Sequence, residues 1–260
     1  MLTLQALILG IVQGLTELLP ISSSAHLFII PWIFNWNSIP NWFDVALHFG
    51  TLLAIGLFFF KDWVKLIKGG YQYVRGNKNL DGKLFWYIVI ATIPGGLIGA
   101  LLDKYGQEFL TKPVIIAIAL IIMGVILYYV DKNSKSEIKY KDLTLKQTFL
   151  IGISQVLAFI PGVSRSGVTM TMGRFLGLTR AAAARFSFLL SAPIVLGAVI
   201  LKLKDFTFNF PFIVGVLASF IVGILVIKFL LEYLRKGSFK VFAVYRVVLG
   251  VIVLLLAIII

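Results

Sequence analysis

The chain has 260 residues, of which 60% are apolar and 13% charged, and its mean hydropathy is +0.99. An ordinary soluble domain carries about 25% charged residues and still leaves much of its surface in water, so soluble, disordered and fibrous classes are excluded and the chain is read as an integral membrane protein. Lys and Arg number 24 against 11 Asp and Glu, a net charge of +13, and the absence of cysteine excludes disulfides, thiolate metal sites and thiol nucleophiles.

The first apolar stretch, 4–34, is interrupted by Pro20-Ile21-Ser22-Ser23-Ser24. It starts at Leu2 with no cationic segment ahead of it, so it is not read as a cleaved signal peptide. Apolar runs follow at 43–60, 84–102 and 113–130. A second broken stretch, 146–176, is interrupted by Pro161-Gly162-Val163-Ser164-Arg165-Ser166-Gly167. Three more runs close the chain, at 186–201, 208–228 and 241–260. The six unbroken runs reach or nearly reach across a hydrocarbon core of about 30 Å, with 186–201 on the short side. Each half of a broken stretch covers only part of that depth, which fits a re-entrant helix pair whose irregular turn is sheltered by protein or a water-filled cavity.

The two broken stretches resemble each other at a constant offset of 142. Gly10-Ile11-Val12-Gln13 lines up with Gly152-Ile153-Ser154-Gln155, Ser22 with Ser164, Ser24 with Ser166 and Ala25 with Gly167. Polar matches in apolar sequence point to an internal duplication. The expected fold is therefore all-α, a single membrane domain over 1–260 with repeat one at about 1–130 and repeat two at about 143–260. Each repeat holds a re-entrant pair and three spans, so the second must begin on the opposite side of the membrane from the first, an inverted-topology repeat. The cations agree. Segments 61–83, 131–146, 174–185 and 228–240, all on one side, hold 18 of the 24 Lys and Arg, while 35–42, 103–112 and 202–207 hold 4. The positive-inside rule makes the first side cytoplasmic and puts both termini outside. A nucleic-acid partner is not expected, because the basic loops are accounted for by this asymmetry.

Ionisable groups inside apolar segments cost about 2.5–3.5 kcal/mol each on insertion scales and mark function by default. They are Glu17, His26 and Arg165, with Asp44, His48 and Arg246 nearer the ends of their segments. Arg246 is explained as well by snorkelling as by function. Gln13 and Glu17, four residues apart, share a helix face, either as a packing pair or lining a polar cavity. Ser22, Ser23 and Ser24 precede a new helix. One of them suffices as a cap, and the free N–H groups of that helix favour a bound phosphate. His26 falls in its first turn. Arg165, in a Pro-Gly-x-Ser-Arg-Ser-Gly turn, needs an anion, which is either Glu17 or a phosphate, and the glycines Gly162 and Gly167 let backbone approach a ligand. Together these parts suit nucleophilic phosphoryl transfer, although the same parts could bind an anion without chemistry.

The run Gln13-Gly14-Leu15-Thr16-Glu17-Leu18-Leu19-Pro20-Ile21-Ser22-Ser23-Ser24-Ala25-His26 resembles the first signature of the undecaprenyl-diphosphate phosphatase family of the bacitracin-resistance type. Pro161–Gly167 resembles its second, and Phe43-Asp44 with Leu47-His48-Phe49-Gly50 its next segment. The resemblance implies two interlocked inverted repeats. It also implies removal of the terminal phosphate of undecaprenyl diphosphate at the outer face of a bacterial plasma membrane, which recycles the carrier of cell-wall precursors and removes bacitracin's target. On matching positions, Ser23 would be the nucleophile, with Glu17, His26 and Arg165 essential. Gln13, Ser22, Ser24, Gly162, Ser164, Ser166 and Gly167 would surround the diphosphate. Gln13 stands where the family often has a second Glu, and Ala25 replaces the usual Gly before the His. The family's divalent cation, Mg or Ca, finds no ligand set that the sequence can assign. The expected partners are undecaprenyl diphosphate and membrane lipids, and the oligomeric state stays open, a homodimer being one compatible state. Broken inverted repeats also suit a transporter or lipid flippase using the same anion site; a non-catalytic scaffold is the third reading.

Overall fold

A computed structural model describes residues 2–36, 39–105, 111–135 and 137–259. Among these the chain is all-helical, with one isolated bridge between Ile138 and Leu178 and no strand. The helices are α1 Thr3–Thr16, α2 Ser23–Ile33, α3 Asn41–Phe58, α4 Phe60–Val74, α5 Leu80–Tyr105 and α6 Pro113–Asn133 in the first half. The second half contains α7 Leu145–Ser154, α8 Arg165–Phe175, α9 Arg180–Lys202, α10 Phe210–Tyr233 and α11 Lys240–Ile259. Five of them, α5, α6, α9, α10 and α11, are long and apolar enough to cross a membrane, and the bent pair α3–α4 would be a sixth span, so the protein is a multi-pass membrane protein.

Two segments differ from the sequence reading. The stretch 61–83 was expected as a loop, but residues 60–74 form α4, bent 78° from α3. It buries Leu66, Gly69 and Gly70, and the two glycines lie against Asn79, just before α5, and against Gly82 and Phe85 in its first turns. Lys61, Lys65 and Lys68 fall on another face and are exposed. Counting cations hid this amphipathic pattern. The run 186–201 is short for a span, but α9 has 23 residues because it begins with an Ala-rich segment, 180–185, flanked by two arginines. Thr179 caps it by accepting from the Ala182 N–H at 3.2 Å, and its arginines are paired: Arg180 with Asp131 at 2.8 Å and Arg185 with Asp62 at 2.7 Å. Buried Asp131 also accepts from Arg174 Nε and from the Phe239 N–H, so one carboxylate joins α6, α8, α9 and the start of α11.

The broken stretches fold as expected of their polar interruptions. α1 has 14 residues and α2 and α8 have 11 each, so at 1.5 Å per residue they are about 16–21 Å long, less than a bilayer core. α7 continues as a 3-10 turn, Gln155–Phe159, before the second break. The halves are interlocked. α1 packs on α10 and α7 on α5, while α6 packs on α11 and α3 on α9. Small residues permit this closeness. A Cβ on Gly10 would lie 2.4 Å from the Gly215 carbonyl oxygen, and a Cβ on Gly152, its partner at offset 142, would lie 2.5 Å from that of Ala91. The outer helices leave long rows of apolar side chains exposed, such as Leu217, Ile221 and Leu225 on α10, which suits lipid rather than water.

Candidate active site

The two breaks share a local geometry that their serines create. Ser22 (φ 77°) and Ser164 (φ 72°) both adopt the left-handed region, which disfavours residues with a Cβ. Each offsets that strain by capping the helix it precedes. Ser22 Oγ accepts from the Ala25 N–H at 3.3 Å and Ser164 Oγ from the Gly167 N–H at 3.0 Å. Each also lies 3.2 Å from the next serine hydroxyl but one, Ser24 or Ser166. The first residues of α2 and α8, Ser23 and Arg165, are therefore presented in equivalent ways, and both line one cavity of about 230 Å³. Two helix N-termini, each carrying unpaired N–H groups and a partial positive charge, open on the same space.

Glu17, just past the end of α1, is the centre of the polar wall. Its Oε1 accepts from Arg165 Nη2 at 2.6 Å. Its Oε2 accepts the Ser23 hydroxyl at 2.6 Å and lies 3.2 Å from His48 Nε2 and 3.3 Å from Gln13 Nε2. The carboxylate is buried, and Arg165 is 13% exposed. Arg165 Nη1 donates to the Ser187 carbonyl at 3.0 Å, which steadies the guanidinium from α9. The same lining includes the apolar side chains Val45, Ala158, Phe159, Ile194 and Ala198, with Gln155 as a further polar member. The cavity thus combines a charged cluster with apolar lining.

Of the residues singled out in the sequence, Glu17, Ser23, Ser24, Ser164 and Arg165 line this cavity. Gln13 is fully buried behind Glu17 and touches its carboxylate. Ser22, Gly162, Ser166 and Gly167 build the turns rather than the wall. Ser166 Oγ donates to the Leu19 carbonyl at 3.0 Å, joining the second break to the first. Gly162 has φ +95°, and a Cβ there would meet the Ile116 carbonyl at 2.6 Å. His26 is not brought to the cluster. Its Nδ1 donates to the Ser22 carbonyl at 2.7 Å, and its Nε2 accepts from Tyr245 Oη at 2.7 Å with the rings stacked. Both ring nitrogens are occupied, on the side of α2 that faces α11.

Two residues that the sequence left at segment ends belong here. His48, in the middle of α3, lines the cavity and reaches Glu17; its sequence signals are an ionisable side chain within the apolar run 43–60 and its place in the segment Leu47–Gly50 that resembles the family. Arg246 is fully buried and does not snorkel. Its Nη1 donates to the Pro20 carbonyl at 3.2 Å, and its Nη2 to those of Gly162 and Val163 at 2.8 and 2.9 Å. It ties the two breaks together, and no carboxylate pairs with it among the described residues. Asp44 contributes its backbone carbonyl, which accepts from His48 Nδ1 at 2.7 Å. No cluster of three His, Asp or Glu side chains that could hold a metal occurs among the described residues. Both oxygens of Glu17 are already engaged by protein donors, so the residues present do not fit a protein-held cation.

A multi-pass helical membrane protein with a serine on a buried carboxylate, a paired arginine and two converging helix N-termini belongs to the class that handles phosphoryl groups within the bilayer. The comparisons agree. A family model described as "Bacitracin resistance protein BacA" matches residues 6–252, and the chain belongs to that family. It is 49% identical to the undecaprenyl-diphosphatase of Pelotomaculum thermopropionicum, over 99% of this chain and 97% of the relative. It is 47% identical to that of Moorella thermoacetica, over 97% of each chain. Its identity to that of Caldicellulosiruptor bescii is 48%, over 98% of this chain and 97% of the relative.

Proposed function

We propose that this chain is a membrane phosphatase that hydrolyses undecaprenyl diphosphate to undecaprenyl phosphate and inorganic phosphate, recycling the lipid carrier for cell-wall synthesis and conferring bacitracin resistance. The observation that carries the reading is the single oxygen, Glu17 Oε2, that accepts the Ser23 hydroxyl at 2.6 Å while Arg165 holds the other oxygen. Ser23 Oγ attacks the terminal phosphorus, its proton passes to Glu17, and the bridging P–O bond breaks, releasing undecaprenyl phosphate. Glu17 gives up its proton to solvent, takes one from a water that attacks the phosphoserine, and passes it to Ser23 Oγ as the Oγ–P bond breaks, which restores Ser23, the Glu17 carboxylate and free phosphate. Arg165 and the N–H groups of α2 and α8 stabilise the charge on the equatorial oxygens. The diphosphate sits at the charged cluster and the first prenyl units run along Phe159 and Ile194. A divalent cation, Mg or Ca, would enter with the diphosphate, since Glu17 has no free oxygen for it.

The matching turns at offset 142 and the exchanged packing of α1 on α10 and α7 on α5 support inverted repeats. With the cation asymmetry, they favour a site open to the outer face and both termini outside a bacterial plasma membrane. A homodimer is the simplest assembly to test by mass in detergent. The transporter reading gains no support, because the named relatives are diphosphatases. The test is phosphate release from undecaprenyl diphosphate by the purified protein without any gradient. Wild type releases phosphate, and Ser23→Ala and Arg165→Ala abolish it. Full turnover in Ser23→Ala would move the attack to water.

A further inference from the structure

Glu17 Oε2 faces three donors, yet only the Ser23 hydroxyl is close enough for a strong bond. What keeps that oxygen aimed at Ser23 is not Arg165, which holds the other one. His48 is placed for it. A carbonyl only accepts, so His48 Nδ1 must carry a hydrogen to bond the Asp44 carbonyl at 2.7 Å. Nε2 then faces Glu17 Oε2 at 3.2 Å, and an attractive contact there requires a second hydrogen between the two atoms. The backbone bond fixes the ring plane, because donor and acceptor lie one turn apart on α3.

We propose that His48 is the positioning residue of the site, donating Nε2–H to the Glu17 oxygen that accepts the Ser23 hydroxyl. The proposal rests on the phosphatase reading above and deepens it. The charged groups facing His48 are few: Glu17 from the end of α1, Arg165 from the start of α8, and Asp44 on α3 itself. The α9 residues that line the same cavity, Ile194, Val195 and Ala198, are apolar. When Nε2 loses its hydrogen, Nδ1 stays bonded to the Asp44 carbonyl and a nitrogen lone pair confronts the carboxylate. Glu17 is then repelled from the position in which it accepts from Ser23. Activity carried by this contact is present at low pH and lost as the pH rises through the titration of His48.

Glutamine supplies an N–H that does not titrate, so His48→Gln separates the hydrogen bond from the proton. Expected for His48→Gln are a kcat within about threefold of wild type near neutrality, an unchanged KM, and loss of the alkaline fall in the pH–rate profile. His48→Leu should lower kcat ten- to a hundredfold, again with little change in KM. An unaltered pH profile in His48→Gln, or full kcat in His48→Leu, overturns the proposal. A second readout does not need turnover. The chain has two histidines, so 15N-histidine spectra of the folded protein in micelles contain two imidazoles, and His48→Gln assigns them. His48 should carry hydrogen on both nitrogens at the pH of maximal activity and His26 on Nδ1 alone. A His48 ring lacking the Nε2 hydrogen under those conditions overturns the proposal even if the variants fold poorly. Spectra as expected from a protein that releases no phosphate would instead count against the phosphatase reading and leave the His48 contact standing.

Discussion

Replacing Arg246 by methionine tests whether the two breaks must be held in register. The guanidinium bonds the Pro20 carbonyl from one break and the Gly162 and Val163 carbonyls from the other, at 3.2, 2.8 and 2.9 Å. A fourth contact, to Leu120 at 3.5 Å, is at the limit of a hydrogen bond. Methionine fills similar space and bonds none of them. Three buried carbonyls without a donor cost about 1–3 kcal/mol each. Part of that is offset, because the variant no longer desolvates a cation that has no carboxylate partner, a penalty of several kcal/mol in buried sites. The net loss expected is about 2–5 kcal/mol. At roughly 2–4 °C per kcal/mol for a chain of this size, thermal unfolding in detergent should fall by about 10 °C. The activity effect should be larger than stability explains. A misplacement of about 1 Å between a nucleophile and the groups facing it costs about a hundredfold, and Arg246 sets the distance between the turn bearing Ser23 and the turn bearing Arg165. At a temperature where Arg246→Met is folded, phosphate release should be at least tenfold slower than wild type, with Arg246→Lys between the two. Wild-type kcat in a folded Arg246→Met protein would refute the positioning argument. Unchanged thermal stability would refute the energetic one.

Two further outcomes follow from packing and hydrogen bonding. Gly10→Ala and Gly152→Ala each drive a Cβ to within 2.4–2.5 Å of a backbone oxygen of the opposite half, so each should destabilise by about 1–3 kcal/mol and by similar amounts; thermal unfolding checks this, and a neutral result in either sinks the interlocking contact it probes. Tyr245→Phe removes the donor to His26 Nε2 and should cost about 1 kcal/mol of stability while leaving phosphate release within a few-fold of wild type; a hundredfold loss would show that the His26–Tyr245 pair takes part in the chemistry.

The spans were legible because lipid imposes a simple rule: apolar runs of sufficient length, bounded by charge. α5, α6, α10 and α11 contain the runs expected, and both breaks fall at the Pro-Ser and Pro-Gly-Ser stretches. Where the rule failed, charged residues belong to helices: some form ion pairs with neighbouring helices and others lie on an exposed face. α9 begins at Arg180, six residues before its apolar run, because Asp131 and Asp62 neutralise its arginines. α4 is a helix although it was counted as a loop, because three exposed lysines masked the face it buries. Ser23, Glu17 and Arg165 were legible as a cluster, since each is a polar group at a break. The partners of the two histidines were not. His26 lies three residues from the serine that donates to Glu17, yet its ring turns toward α11; His48 lies 31 residues from Glu17 and touches it. Contact between elements far apart in sequence decides both, and local pattern carries no information about it. Arg246 looked like a snorkelling cation for the same reason.

The correspondence at offset 142 places unlike side chains at like positions of the two halves. At offset 142, Ser23 corresponds to Arg165 and Glu17 to Phe159, and all four line the same cavity. The first half contributes Ser23 and Glu17, the proposed nucleophile and base, while the second contributes Arg165 and most of the apolar lining. The turns that present Ser23 and Arg165 are alike, and the two side chains give like positions different chemical character. On the proposed reading Phe159, the counterpart of Glu17, faces hydrocarbon where Glu17 receives a proton. Its ring fills the space over Gly99, where a Cβ would lie 2.8 Å from Cζ. Phe159→Ala removes apolar contact from the tail side and leaves the Glu17 network untouched. KM for undecaprenyl diphosphate should rise several-fold at constant kcat, because full burial of an aromatic is worth about 1.5–3 kcal/mol, and the half-buried Phe159 ring gives only part of that to the ligand. With a water-soluble diphosphate bearing a short prenyl group, KM should change little. Steady-state phosphate release with both substrates checks this. An equal loss with both would mean that Phe159 supports the turn, not the tail, and that the charged cluster and the apolar lining do not divide the substrate in this way.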